Sequence, residues 1–186
     1  TGMSNTRDRV KSHLLTHSVK TGNFTLKSGR ESNWFIDSKQ TICAPEAMAD
    51  VAELVLEIMD PRATAIGGLT MGADGVSFIT AGVAATKGRA LSAFSVRKEV
   101  KGHGAGGRLA GRLLPGDRVV ITEDTVTRGT SLLEAAHVVQ EFGCEVVQLI
   151  AVVDRGGTAQ AMAAAEGLSF VALFTAPDLG FAYEGA

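Results

Sequence analysis

Cysteine is almost missing from this chain of 186 residues: Cys43 and Cys144 are its only two, far apart and without C-x-x-C spacing. A disulfide framework and a cysteine-based structural zinc site are thereby excluded, and a reducing, cytoplasmic setting is the expected location. Long apolar runs are lacking too. None approaches the roughly 18 residues of a membrane span, so no membrane partner is expected. The opening TGMSNTRDRV has no apolar stretch of the secretory kind, and Thr1-Gly2 ahead of Met3 reads as an added remnant. Neither sign of charge dominates, with 18 Lys and Arg against 20 Asp and Glu, a net −2 that gives no overall attraction to nucleic acid. What is present in quantity is apolar: 45% hydrophobic residues against 20% charged ones suffice for one substantial core, so a single domain over 1–186 is expected.

Periodicity sets out the elements. Ser4 to Val19 reads as a surface helix, a lid at most, and FTLKSG and NWFID (Phe24 to Gly29, Asn33 to Asp37) read as a β-hairpin. Pro45 opens a helix in which Met48, Val51, Ala52, Val55, Ile58 and Met59 recur at helical spacing. From there strand and helix alternate. Strands are expected at Ala63 to Ile66, Ala90 to Val96, Arg118 to Thr122, Val146 to Val153 and Phe170 to Phe174. Helices are expected at Ala73 to Thr86, Ser131 to Phe142 and Thr158 to Glu166, and Gly102 to Gly111 reads as a glycine-rich loop. Apolar strands alternating with helices imply an α/β fold with a mostly parallel sheet flanked by helices. Ligands of such sheets bind beyond the carboxyl ends of the strands.

The most informative strand exit is VVITEDTVTRGTS, Val119 to Ser131. Hydroxyls of Thr127, Thr130 and Ser131, with backbone N–H groups freed by Gly129 and the first helical turn, can surround a phosphate. The adjacent carboxylates of Glu123 and Asp124 can accept hydrogen bonds from neighbouring sugar hydroxyls. Singly, each feature is also what a helix N-cap or a pair of solvated acids would show. Their conjunction in one strand-loop-helix unit is more specific. The dinucleotide fingerprint G-x-G-x-x-G and the P-loop G-x-x-x-x-G-K-[ST] are both absent.

This stretch resembles the phosphoribosyl pyrophosphate motif of the type I phosphoribosyltransferases. The resemblance implies that family's fold, with a core at about 45–155 and a small hood formed by the N-terminal helix and hairpin (about 1–44) plus the C-terminal segment. It also implies that Glu123 and Asp124 hold the ribose hydroxyls, that Thr127, Arg128, Gly129, Thr130 and Ser131 bind the 5-phosphate, and that Thr125 and Val126 belong to the same phosphoribosyl pyrophosphate site. Arg128 stands where a small or threonine-like residue is usual.

Three further stretches are similar to the orotate-specific branch. FTLKSGRESNWFID resembles its hairpin, which implies that Lys27 reaches the diphosphate and that Trp34 and Phe35 face the orotate ring. RKEVKGHGAGGRLAG puts Arg97, Lys98, Lys101 and His103 on a loop hung on glycines, suited to closing over a polyanion and neutralising a leaving group. Alone it would also pass for a solvated basic loop. The resemblance implies that loop 98–110 reaches into the neighbouring subunit of a homodimer, and Ala110 departs from the acid common there. VVDRGG places Arg155 at a strand exit, where a guanidinium suits the carboxylate that distinguishes orotate from uracil. GGLTMGADG (Gly67 to Gly75) resembles the diphosphate loop, which implies a strained or cis peptide near Leu69-Thr70.

The implied reaction joins orotate to the ribose 5-phosphate of phosphoribosyl pyrophosphate, with Mg²⁺ carried by the substrate near Glu123 and Asp124. Lys101, His103 and Asp124 are its expected catalytic residues, and Lys27, Trp34, Phe35, Thr127 and Arg155 its expected orotate contacts. The alternatives are a phosphoribosyltransferase for a purine or uracil, or a non-catalytic regulator that senses phosphoribosyl nucleotides. His13 and His17 share one face of the first helix, but no nearby acid or cysteine in the sequence completes a metal site, and His137 reads as packed.

Overall fold

The computed structural model describes residues 2–103 and 105–184, with side-chain surroundings for all of these except 2–4, 105 and 106. The first helix, α1 (Gly2–His13), runs into a single π turn, Leu14–Ser18. Val10 and Leu14, one turn apart, are both buried, and the Arg7 guanidinium lies 4.3 Å from the Phe174 ring centroid while donating to the Leu173 carbonyl. The helix lies at the surface as expected, but Val10 and Leu14 anchor it in the core cluster, which corrects the expectation of a lid. These apolar positions are too few to stand out in the sequence.

Strands β1 (Val19–Thr25) and β2 (Glu31–Ile36) form the antiparallel hairpin, displaced from its expected bounds. Bonds from the Leu26 amide to the Arg30 carbonyl and from the Gly29 amide to the Leu26 carbonyl, both 2.8 Å, make FTLKSG mostly turn, with Lys27 on it. A four-residue helix α2 (Lys39–Ile42), unforeseen in the sequence, precedes α3 (Met48–Ile58), which starts after the Pro45 turn and buries Val51, Ala52, Leu54 and Val55.

The remaining elements are β3 (Ala65–Leu69), α4 (Asp74–Thr86), β4 (Ser92–Val96), β5 (Leu109–Gly111), β6 (Arg118–Val126), α5 (Thr130–Glu141), β7 (Glu145–Asp154), α6 (Ala159–Ala165) and β8 (Phe170–Thr175). The sheet order is β5-β4-β3-β6-β7-β8, parallel throughout except for the short β5, an edge strand inside the expected glycine-rich loop. Successive side chains of a strand point to opposite faces. Val120, Ile150 and Val152 accordingly pack with α1, the hairpin and α3, whereas Val119, Ile121, Leu149 and Ala151 pack with α5 and α6. Such two-sided burial is the physical reason for the unbroken apolar strands, and it bears out the mostly parallel α/β fold. Among the described residues no helix is long and apolar enough to cross a membrane.

Candidate active site

Both central strands outrun the lengths expected of them. β6 continues through Glu123, Asp124, Thr125 and Val126, and its register with β7 pairs Val126 with Asp154. The Arg155 amide then donates to the Val126 carbonyl at 2.8 Å, and the Thr158 hydroxyl donates to the Thr127 carbonyl at 3.1 Å. A Cβ on Gly156 would lie 1.8 Å from the Thr127 carbonyl oxygen, so only glycine lets the two strand exits approach this closely. Gly129, at φ +84°, swings the chain into α5, leaving the unpaired N–H groups of the first helical turn beside Thr127 to Ser131.

Glu123 and Asp124 are both buried. Asp124 is ion-paired through Oδ2 with Lys39 Nζ, and its Oδ1 accepts the Thr125 amide at 2.8 Å. Ser38 and Thr125 hydroxyls meet at 2.6 Å, so α2 braces the strand end. Burial first, and the neighbouring Asp124 second, push the Glu123 carboxyl up to about 9. A Cβ on Gly72 would fall 1.8 Å from Glu123 Oε1 and 3.0 Å from Asp124 Oδ1, so the loop after β3 rests directly on both acids. Asp74 holds that loop, accepting Thr70 Oγ1 at 2.6 Å and Ser95 Oγ at 2.8 Å. Its cis peptide joins Thr70 and Met71, one bond beyond the position named from the sequence.

On the other side Arg155 is buried, donating to the Trp34 carbonyl at 2.9 Å and the Ser32 hydroxyl at 3.2 Å. Its guanidinium lies 4.9 Å from the Trp34 ring centroid, and Trp34 in turn stacks on Phe181 at 4.5 Å. Desolvation lowers the Arg155 pKa, opposed by the charge of Glu184. The Glu184 carboxylate accepts the Ser32 hydroxyl at 2.5 Å, which ties the C-terminal segment to the hairpin.

These parts enclose a cavity of about 930 Å³ lined by Lys27, Phe35, Glu123, Thr125, Val126, Thr127, Arg128, Gly129, Thr130, Ser131 and Arg155, joined by Lys20, Arg30 and Glu184. Trp34 does not line it. Strand alternation turns its ring into the core and leaves only its carbonyl to hold Arg155, while Phe35 faces outward into the cavity. Asp124 lies off the lining as well, bound to Lys39. Arg97, Lys98, Lys101 and His103 are not brought to this cavity. Arg97 donates to the Leu109 carbonyl at 3.1 Å, and the Lys101 amide donates to the Gly107 carbonyl at 2.7 Å, so the segment folds back along β5 with Lys98, Lys101 and His103 exposed. Gly104, within that loop, lies outside the described residues.

Comparison with known proteins matches residues 74–165 to the phosphoribosyl transferase domain family. The orotate phosphoribosyltransferase of Rhodopirellula baltica is 36% identical over 175 residues, covering 90% of each chain. That of Mycobacterium bovis is 39% identical over 164 residues, covering 88% of this chain and 90% of the relative. The chain belongs to the orotate phosphoribosyltransferase family. A crystal structure of the Mycobacterium tuberculosis orotate phosphoribosyltransferase superposes with a TM-score of 0.84 at 36% identity, covering 95% of this chain and 99% of that one. A second structure of that enzyme, in complex with 5-phospho-alpha-D-ribosyl 1-diphosphate, superposes at 0.80 with 34% identity and the same coverage.

Within this orotate phosphoribosyltransferase fold, Lys39, Ser38, Gly72 and Glu184 are among the site residues that sequence reading missed, as are Lys20 and Arg30. Lys39 carries no local signal, because its partner Asp124 lies on a distant strand and α2 is too short to show a period. Gly72 stood inside the recognised GGLTMGADG stretch, but its contact with the acids depends on β3 lying beside β6.

Proposed function

We propose that this chain transfers the 5-phosphoribosyl group of phosphoribosyl pyrophosphate to N1 of orotate, giving orotidine 5′-monophosphate and diphosphate in pyrimidine biosynthesis. The observation that carries this reading is one cavity lined together by the Thr127–Ser131 turn, Glu123, Phe35 and Arg155. A sugar phosphate joined to a flat carboxylated ring needs all of these groups at once.

In this reading the hydroxyls and amides of Thr127 to Ser131 bind the 5-phosphate, with Arg128 adding a cation at the rim. Glu123 and Asp124 hold the ribose hydroxyls. Phe35 covers the ring face, and Arg155, with Thr127, meets the orotate carboxylate. The C1–O bond breaks toward diphosphate with oxocarbenium character, N1 supplies the electron pair of the new bond, and the N1 proton is released. No protein nucleophile is required, so positioning and electrostatics supply the rate. Mg²⁺, held chiefly by the substrate's own oxygens near Glu123 and Asp124, would neutralise charge on the diphosphate. Lys27, on the hairpin turn, faces the same polyanion. Lys98, Lys101 and His103, exposed and away from their own chain's cavity, are assigned to the site of a second copy in a homodimer.

Loss of the orotate absorbance on adding phosphoribosyl pyrophosphate and Mg²⁺ tests the reaction. Turnover is expected with orotate, and none with uracil, adenine or hypoxanthine. Faster turnover of any of those bases than of orotate would replace this reading.

A further inference from the structure

We propose that His13, His17 and Glu46 form a binding site for a late first-row divalent cation of the Zn²⁺ kind, separate from the phosphoribosyl cavity. The two histidines looked incomplete in the sequence because the acid they need comes from elsewhere: Glu46 lies in the turn between α2 and α3, and folding sets it against the end of α1. His13 Nε2 stands 2.8 Å from Glu46 Oε1, and the His13 and His17 ring centroids are 4.3 Å apart. One donor atom from each of the three residues lies within 4.8 Å of the others, close enough for one ion to draw them together.

The surroundings prepare His13 for this role. Its Nδ1 is 2.8 Å from the Thr41 hydroxyl, which is 2.7 Å from the Ser18 hydroxyl, and both hydroxyls belong to fully buried residues. The Thr41 hydroxyl meets Nδ1 and fixes the ring, with Nε2 directed at the Glu46 carboxylate. A metal ion that displaces the proton shared by Nε2 and Oε1 takes both atoms as ligands, and metal-bound histidines typically have their second nitrogen anchored in this way. The donor set selects the metal. Two imidazoles and one carboxylate with an open position match Zn²⁺, Co²⁺ or Ni²⁺, whereas Mg²⁺ prefers an all-oxygen shell.

His17 and Glu46 are exposed, so the site is open to exchange, and a hollow lined by Asn5, Asp8, Ser12 and Thr16 adjoins it. Bound metal joins the end of α1 to the α2–α3 turn, next to the Arg9–Asp50 pair that bridges α1 to α3 at 2.9 Å. Because only the folded chain holds the three donors together, binding stabilises the fold. None of the three residues lines the phosphoribosyl cavity.

Titration of metal-free full-length protein with Co²⁺, followed by visible absorption, tests the proposal. One equivalent is expected, with the spectrum of a nitrogen and oxygen ligand set and no thiolate charge-transfer band, displaced by Zn²⁺ but not by excess Mg²⁺. Zn²⁺ should also raise Tm. His17→Ala and Glu46→Gln should each weaken binding at least tenfold while leaving Mg²⁺-supported orotate turnover unchanged. Glu46→Gln keeps a hydrogen-bond acceptor for His13, so its loss of affinity is not a folding effect. Absence of one-equivalent binding, wild-type affinity in both variants, or a thiolate band tracing the metal to Cys43 would overturn the site.

Discussion

Two adjacent acids at the end of β6 have different surroundings. Asp124 is ion-paired with Lys39, whereas burial first, and Asp124 second, push the Glu123 carboxyl from an ordinary 4.5 up to about 9. Between those values the folded chain binds more protons than the unfolded one. The stabilisation from Glu123 is therefore complete below about pH 4.5 and is lost as pH rises through about 9. Glu123→Gln, neutral throughout, should gain Tm relative to the wild type progressively as pH is raised from about 5 to about 9. A constant difference in thermal melts across that range would show that the carboxyl does not hold its proton. The acid pair itself was legible in the sequence, since the string EDTVTRGTS carries it. The raised carboxyl pKa of Glu123 was not, because that depends on burial under the Gly72 loop.

Hairpin β1–β2 illustrates how one element divides two neighbouring aromatics. Period-2 alternation puts Trp34 and Phe35 on opposite faces, and packing against Phe181 and Arg155 makes the Trp34 face the inner one. Trp34→Ala should cost about 3–5 kcal/mol of stability by chemical denaturation. Phe35→Ala should stay within about 0.5 kcal/mol of wild type yet raise the KM for orotate. Equal destabilisation by both would contradict the alternation. The long, strongly periodic elements, α3, β7 and α5, were visible in the sequence to within a few residues. α2 and β5 escaped, because four helical residues show no periodicity and Leu109–Gly111 becomes a strand only by pairing with β4.

Assembly supplies the remaining test. Lys98, Lys101 and His103 stand away from the cavity of their own chain, and in the proposed function they act in the site of a second copy. Lys101→Ala and Asp124→Asn should each reduce kcat by about 100- to 1000-fold. Mixing the two should restore activity, because a hybrid pair contains one site with both residues intact. Demonstrated subunit exchange without recovery would assign the loop another role. Family membership, the α/β class and the Thr127–Ser131 turn that leads into α5 could be read before any coordinates, since each rests on residue types at fixed short spacing from Phe24 to Arg155. Folding alone decided that Arg155 meets Thr127, that Lys39 neutralises Asp124, that Trp34 supports the site from behind, and that Glu46 joins two histidines. Those contacts link residues distant along the chain, and they arise from strand register and shared core packing, which no local spacing encodes.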